Sequence, residues 1–170
     1  MLVVDLDPGA PAGLLECGAV AVLMRDRLAE DGITAYPKTS GKKGMQLCCP
    51  ISGTQDAVVV SGYAKRVAEE LSAQVPGSIT AKMAKAVRPG KVFIDWSQNN
   101  AAKTTVAPYS LRAQESPTAS TPLTWDEVAE MALGSGVVRQ FGAAEVLERV
   151  AEHGDLLADL LEPGPPVPTR

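Results

Sequence analysis

Two aspartates near the start of the chain, Asp5 and Asp7, have the spacing best suited to chemistry. Side chains alternate between faces in an extended strand, so these two carboxylates project from one face, about 6.6 Å apart. Val4 and Leu6 then point into the core. Pro8-Gly9 ends the strand and places both acids at the rim of a sheet, where they can bind a hard divalent cation. Taken alone, the motif is equally well explained as a polar turn after a strand.

A third aspartate, Asp95, ends the segment 91–96, whose alternating residues predict another strand. On its own, Asp95 is explained as a structural acid at a strand end. Three acids at the ends of two strands, however, are what two-metal phosphoryl transfer requires, because the carboxylates must neutralise two dications in a small volume.

The segment 38–44 predicts a glycine-rich basic loop between two short strands, 33–37 and 45–49, that form a hairpin-like unit. Gly41 and Gly44 allow the backbone to turn its amides inward, which favours a phosphate cradle. The sequence is not a Walker A motif, and a solvated turn is the more common explanation of such a loop. Its hydroxyl and ammonium groups belong to Thr39, Ser40, Lys42 and Lys43.

The remaining pattern predicts a single domain of alternating strands and helices over residues 1–162, followed by an unstructured proline-rich tail, 163–170. Thr124 and Glu127 have the spacing of a capping box that opens a helix. Further helices are predicted at 14–31, 56–75 and 143–152, and further strands at 79 onward and 104–107.

The charge is uneven along the chain, whose formal net charge is −4. Residues 38–112 carry eleven basic and four acidic side chains, whereas the segments on both sides are acidic. A polyanion would therefore bind the middle third. No membrane span or secretory signal is predicted, so we expect a cytoplasmic protein without a membrane partner.

Six motifs, in this order, resemble the polymerase domain of bacterial DNA ligase D. This domain is a primase-like branch of the archaeo-eukaryotic primase superfamily that serves in nonhomologous end joining. The likeness is greatest to actinobacterial members. The matching segments are VVDLDPG (3–9), KTSGKKG (38–44), KVFIDWSQN (91–99), KTT (103–105), APYSLR (107–112) and TPLTW (121–125).

The resemblance implies an α/β (α+β) fold, a primase-like core with a mixed or antiparallel sheet flanked by helices. It also implies a site in which three acids hold two Mn²⁺ or Mg²⁺ ions while other residues contact the nucleotide. The implied metal ligands and catalytic residues are Asp5, Asp7 and Asp95. The implied nucleotide-binding residues are Ser40, Lys43 and Gly44 around the triphosphate, Gln46 and Arg112 on its phosphates, and Gln98 beside the nucleotide.

The implied reaction is template-dependent nucleotidyl transfer, in which a primer 3′-hydroxyl attacks the α-phosphate of a nucleoside triphosphate. The implied partners are DNA ends or a primer-template and the end-joining proteins ligase and Ku. Two departures favour a second hypothesis, a weakly active or inactive module that binds nucleotide and metal and docks to repair partners. Gln46 stands where the family motif SGxKGxH has histidine, and the family's portion ahead of the DxD strand is expected to be missing.

A third hypothesis, a metal-dependent nuclease or phosphatase, uses the same acids. The loop at 40–44 and Arg112 suit a triphosphate better than a scissile phosphodiester, which disfavours this hypothesis.

Overall fold

The structure is a computed structural model that describes residues 1–169. A five-stranded sheet with the strand order β2-β3-β1-β5-β4 forms its centre. Neighbouring strands run antiparallel except for β4 and β5, which are parallel, so the sheet is mixed as the resemblance implies. The strands are β1 (Leu2–Pro8), β2 (Tyr36–Thr39), β3 (Met45–Cys49), β4 (Ile79–Thr80) and β5 (Val92–Asp95).

Residues 1–169 form four α-helices, and the predicted helices are confirmed with small shifts at their ends. α1 and α2 cover one face of the sheet, and α3 packs against α1. None of the helices within residues 1–169 combines the length and the apolar character needed to cross a membrane. The helices are α1 (Leu14–Glu30), α2 (Ala57–Gln74), α3 (Trp125–Ala132) and α4 (Ala143–His153).

The alternation predicted for β1 determines which side chains enter the core. Val4 and Leu6 are buried against the helices, whereas Asp5 and Asp7 are partly exposed. The capping box that opens α3 is also confirmed, because Thr124 and Glu127 bond each other's backbone amides. Local sequence pattern is sufficient for these features, since their partners lie within a few residues.

The strand predicted at 33–37 is shifted, and the loop predicted to begin at Lys38 begins two residues later. Lys38 and Thr39 belong to β2 and are fully buried. The cause is a distant segment: the Thr39 amide donates to the Thr121 carbonyl at 2.8 Å, and the Leu123 amide donates to Pro37 at 3.0 Å. This segment covers the edge of β2 and extends the strand.

The strand predicted at 104–107 is wrong, because those residues form an irregular segment. A short hairpin follows it instead, formed by β6 (Leu111–Arg112) and β7 (Thr118–Ala119). Its Arg112 and Ala119 lie against Gly41 of the loop at 40–44.

The tail predicted to be unstructured is ordered over residues 163–169, and Arg170 lies outside the described residues. Val167 is only 2% exposed and exchanges two hydrogen bonds with the side chain of Gln55, at 2.7 and 2.8 Å. The Ser52 amide also donates to the Pro165 carbonyl at 2.9 Å. Prolines keep this segment extended, so its free carbonyls can bond to neighbouring groups.

We expect Val167→Ala to lower the free energy of unfolding by about 1–2 kcal/mol, because it removes two buried methyl groups. Urea unfolding at neutral pH would measure the change. Val58→Ala is the matched control, since Val58 is 80% exposed. Equal stability of the two variants would contradict the observed docking of the tail.

Candidate functional site

Four polar side chains form a row across four neighbouring strands, on the sheet face opposite α1 and α2. The strand register places Lys38 opposite Gln46, Gln46 opposite Asp5, and Asp5 opposite Asp95. Side chains of directly opposed residues lie on the same face of a sheet. The structure therefore places Asp5 directly beside Asp95 on the neighbouring strand.

Asp5 lies at the centre of this row. Its Oδ1 accepts a hydrogen bond from Gln46 Nε2 at 3.0 Å. Burial raises the pKa of the Asp5 carboxyl, the bond from Gln46 opposes this change, and the negative charges of Asp95 and Asp7 raise the pKa further. A cation beside these carboxylates would relieve that repulsion.

The other two carboxylates are paired with basic side chains. Asp7 lies 3.2 Å from Lys43 Nζ and 3.6 Å from an Arg88 nitrogen. The Oδ2 of Asp95 lies 3.3 Å from Lys103 Nζ. Positive groups thus already occupy the space beside these carboxylates.

A turn of 3-10 helix (Trp96–Asn99) after β5 fixes the end of the strand. Asp95 Oδ1 accepts bonds from the amide and the hydroxyl of Ser97, at 3.0 and 2.5 Å. The Asn99 side chain bonds both the amide and the carbonyl of Val3 at 2.8 Å, in the manner of a paired strand. β5 therefore ends at Asp95 while β1 stays paired.

The loop at 40–44 directs two backbone amides at one oxygen atom. Ser40 Oγ accepts from the amides of Lys42 and Gly44, at 3.2 and 3.1 Å. A phosphate oxygen is the kind of ligand that such converging amides bind. A Cβ on Gly44 would lie 2.1 Å from the Leu6 carbonyl oxygen, so this loop contacts β1 directly.

Two side chains that the sequence analysis does not identify support the loop. Thr118 Oγ1 donates to the Gly41 carbonyl at 2.5 Å, and Gln140 Nε2 donates to the Gly44 carbonyl at 3.2 Å. Gly41 has φ +69°, and a Cβ there would lie 2.6 Å from Arg112 Cγ. Arg112 is thereby packed against the loop. The sequence gives no signal for Thr118 or Gln140, because both act over a long sequence separation.

An open cavity of about 320 Å³ lies between the loop at 40–44 and the carboxylates of Asp5 and Asp7. Eight of the nine predicted site residues line it, whereas Asp95 lies beside Asp5 on the adjacent strand without lining it. Gln98 faces the cavity and is held by a 2.7 Å bond from its Nε2 to the Thr104 carbonyl. The eight residues are Asp5, Asp7, Ser40, Lys43, Gly44, Gln46, Gln98 and Arg112.

The site fits a hard divalent cation by its donor type. Carboxylate oxygens are the ligands that Mg²⁺ and Mn²⁺ prefer, and Asp7 and Asp95 already bind cationic side chains. Within residues 1–169, however, no group of three His, Cys, Asp or Glu side chains is arranged to hold a metal ion. The assignment of these acids as metal ligands therefore stays a prediction.

Lys38 is the site's unexpected member, since the sequence predicts it in a solvated loop. Its side chain is fully buried, and Nζ donates to Gln46 Oε1, Ser120 Oγ and the Val106 carbonyl at 2.5, 2.7 and 3.1 Å. Burial lowers the pKa of Lys38 to about 8. A buried ammonium with three acceptors is a strongly constrained group.

Comparison with known proteins identifies the family and the fold. A family model described as LigD, primase-polymerase domain, matches residues 1–157. The multifunctional non-homologous end joining protein LigD of Mycolicibacterium smegmatis is 45% identical over 94% of this chain and 20% of its own length. The corresponding DNA repair protein of Mycobacterium tuberculosis H37Rv is 44% identical over 99% of this chain and 22% of its own length.

A solved structure, the polymerase domain from Mycobacterium tuberculosis ligase D in complex with DNA, superposes with a TM-score of 0.88 at 43% identity. The match covers 96% of this chain and 55% of that one. The chain belongs to the LigD primase-polymerase domain family. It spans about a fifth of the length of the curated relatives that it matches.

The lowered pKa of Lys38 predicts a pH-dependent stability. The folded protein releases this proton near pH 8 and the unfolded chain near 10.5. Between these values the unfolded chain binds more protons than the folded protein, so the free energy of unfolding rises with pH. The stability gained in this way is full above pH 10.5 and is lost as the pH falls through about 8. We expect the free energy of unfolding of the wild type, relative to Lys38→Met, to rise by about 3 kcal/mol from pH 8 to 10.5. Urea unfolding of both proteins would measure it. A constant difference over that range would contradict the burial of a titrating lysine.

Proposed function

We propose that this chain is a template-dependent nucleotidyltransferase of the ligase D type that acts in nonhomologous end joining. One observation carries the proposal: the amides of the loop at 40–44 and the carboxylates of Asp5 and Asp7 line the same cavity. A triphosphate bound to the loop would thus extend along the acids. Membership of the LigD family supports the same reaction class.

In this proposal, Asp5, Asp7 and Asp95 hold two Mn²⁺ or Mg²⁺ ions. When bound, the ions supply charge neutralisation for the attacking hydroxyl and the leaving pyrophosphate. Charge neutralisation, without a histidine base, carries the reaction, because the chain's single histidine, His153, ends α4.

The loop and its neighbours bind the triphosphate. The amide of Gly44 and the hydroxyl of Ser40 donate to phosphate oxygens, and Lys43 exchanges its ion pair with Asp7 for a phosphate. Arg112 adds a planar cation from the hairpin side of the cavity. Gln46 keeps one amide hydrogen for a phosphate, since its Nε2 gives the other to Asp5. Gln98 lies beside the nucleotide.

The proposed partners are a nucleoside triphosphate and DNA ends or a primer-template. The structural relative was determined in complex with DNA, and the basic middle third of this chain suits a polyanion. Ligase and Ku are the proposed protein partners, because the relatives are named as end-joining proteins. These functions place the protein on the nucleoid in the cytoplasm.

A second proposal is a binding module that holds nucleotide and metal but does not extend primers. One observation favours it. Gln46, in place of the family histidine, is already bonded to Lys38 and Asp5, which leaves its amide little free capacity for a phosphate.

We expect Asp95→Asn to reduce primer extension at least about 100-fold, because it removes one of the three carboxylate charges that hold the two proposed metal ions. The assay uses a primer-template, Mn²⁺ and ribonucleotides, with single-turnover rates as the readout. Asp26→Asn, on the exposed surface of α1, is the matched control. Equal rates for both variants would exclude Asp95 from the reaction.

We expect Gln46→His to raise the extension rate by about tenfold, since a protonated imidazole can donate a charge-assisted hydrogen bond to the triphosphate. The same assay, run beside nucleotide binding by calorimetry, separates the two proposals. If wild type and Gln46→His both bind nucleotide and neither extends a primer, the binding module is the correct function.

A further inference from the structure

The orientation of the Gln46 carboxamide is fixed by its two neighbours. An ammonium group can only donate hydrogen bonds and a carboxylate can only accept them. The Gln46 oxygen must therefore face Lys38, at 2.5 Å, and its nitrogen must face Asp5, at 3.0 Å. Reversing the amide would place two donors together on one side and two acceptors together on the other.

Lys38 is itself held rigidly. Its three protons go to three acceptors, on Gln46, Ser120 and Val106, so the ammonium has no unused donor. Ser120 in turn donates to the Thr39 carbonyl at 2.9 Å, which ties this network to the backbone of β2. The position of Nζ is thus set by the covered edge of the sheet and not by solvent.

We propose that Lys38 is a positioning residue that acts through Gln46 to orient the Asp5 carboxylate for a divalent cation. The inference rests on the proposed function for the role of Asp5, but the link from Lys38 to Gln46 does not depend on it. Among residues 1–169, the bond from Gln46 Nε2 to Asp5 goes to Oδ1 and not to Oδ2, which leaves Oδ2 for a cation. Residues that orient a metal ligand in this way commonly change metal affinity by about 10- to 100-fold when mutated.

Lys38→Met removes the ammonium and keeps the apolar stem. The Gln46 amide then loses the group that fixes its direction, and its oxygen can turn toward Asp5, where two acceptors repel. We expect the dissociation constant for Mn²⁺, measured by calorimetry without nucleotide, to rise about tenfold. Ser120→Ala, which removes a single acceptor of Lys38, is a milder variant and is expected to weaken binding in the same direction.

A double-mutant cycle separates positioning from a general effect on folding. Gln46→Met removes the bridge, so in that background Lys38→Met is expected to have no further effect on Mn²⁺ binding. Lys85→Met, on an exposed turn, is the matched control and is expected to leave Mn²⁺ binding unchanged. Additive effects of the two substitutions, or a lowered melting temperature with unchanged Mn²⁺ affinity, would overturn the proposal.

A second measurement needs neither metal nor nucleotide. The side-chain amide protons of Gln46, followed by nitrogen-15 NMR, are expected to exchange with water at least about tenfold faster in Lys38→Met than in the wild type, because a fixed hydrogen bond becomes a mobile one. Equal exchange rates in the two proteins would overturn the proposal. If these protons respond as expected and the wild type binds no Mn²⁺, the proposed function fails while the Lys38–Gln46 link holds.

Discussion

The pairing of β1 with antiparallel neighbours on both sides is the constraint on which the whole site depends. Because side chains alternate along a strand, a slip of one residue in either pairing would turn Asp5 toward the helices and expose Val4. The apolar residues of β1 therefore fix the register, and the register places the acids. The energy that orients the polar row comes mainly from burial on the opposite face of the sheet.

Neighbouring cationic or amide side chains partner each carboxylate of the site. Asp7 and Asp95 are paired with lysine and arginine side chains, and Asp5 receives a glutamine amide. Each carboxylate thus accepts a hydrogen bond or ion pair from a side chain that could stay in place or move away when a nucleotide binds. Without these partners, the carboxylates of Asp5 and Asp95 on adjacent strands would repel each other. The arrangement therefore agrees with a site that binds highly charged ligands.

Much of the site was predictable from local pattern. The spacing of Asp5 and Asp7, the end of β5 at Asp95 and the bounds of β3 follow from alternation and from nearby proline and glycine. These features need only a few consecutive residues. The family motifs added the expected grouping of the loop with the acids. In the structure, the loop lines one cavity together with Asp5 and Asp7.

Two of the errors, on Lys38 and on the C-terminal tail, have one physical cause, which is contact between distant segments. The sequence predicts Lys38 in a glycine-rich basic loop, but a segment that lies over 80 residues away along the chain buries it in β2. The tail was expected to lack structure because of its prolines, but Gln55 and Ser52 bond its backbone. Gln140 supports the loop in the same long-range way.

The loop at 40–44 is attached to the protein on three sides: by Gly44 against the Leu6 carbonyl, by Thr118 on Gly41, and by Gln140 on Gly44. Its amides already converge on one oxygen, that of Ser40, so a phosphate could replace this oxygen by rotation of a single side chain. Little conformational entropy would then be lost on association. Ligand exchange at such a preformed loop would be limited by diffusion and desolvation and not by refolding of the backbone.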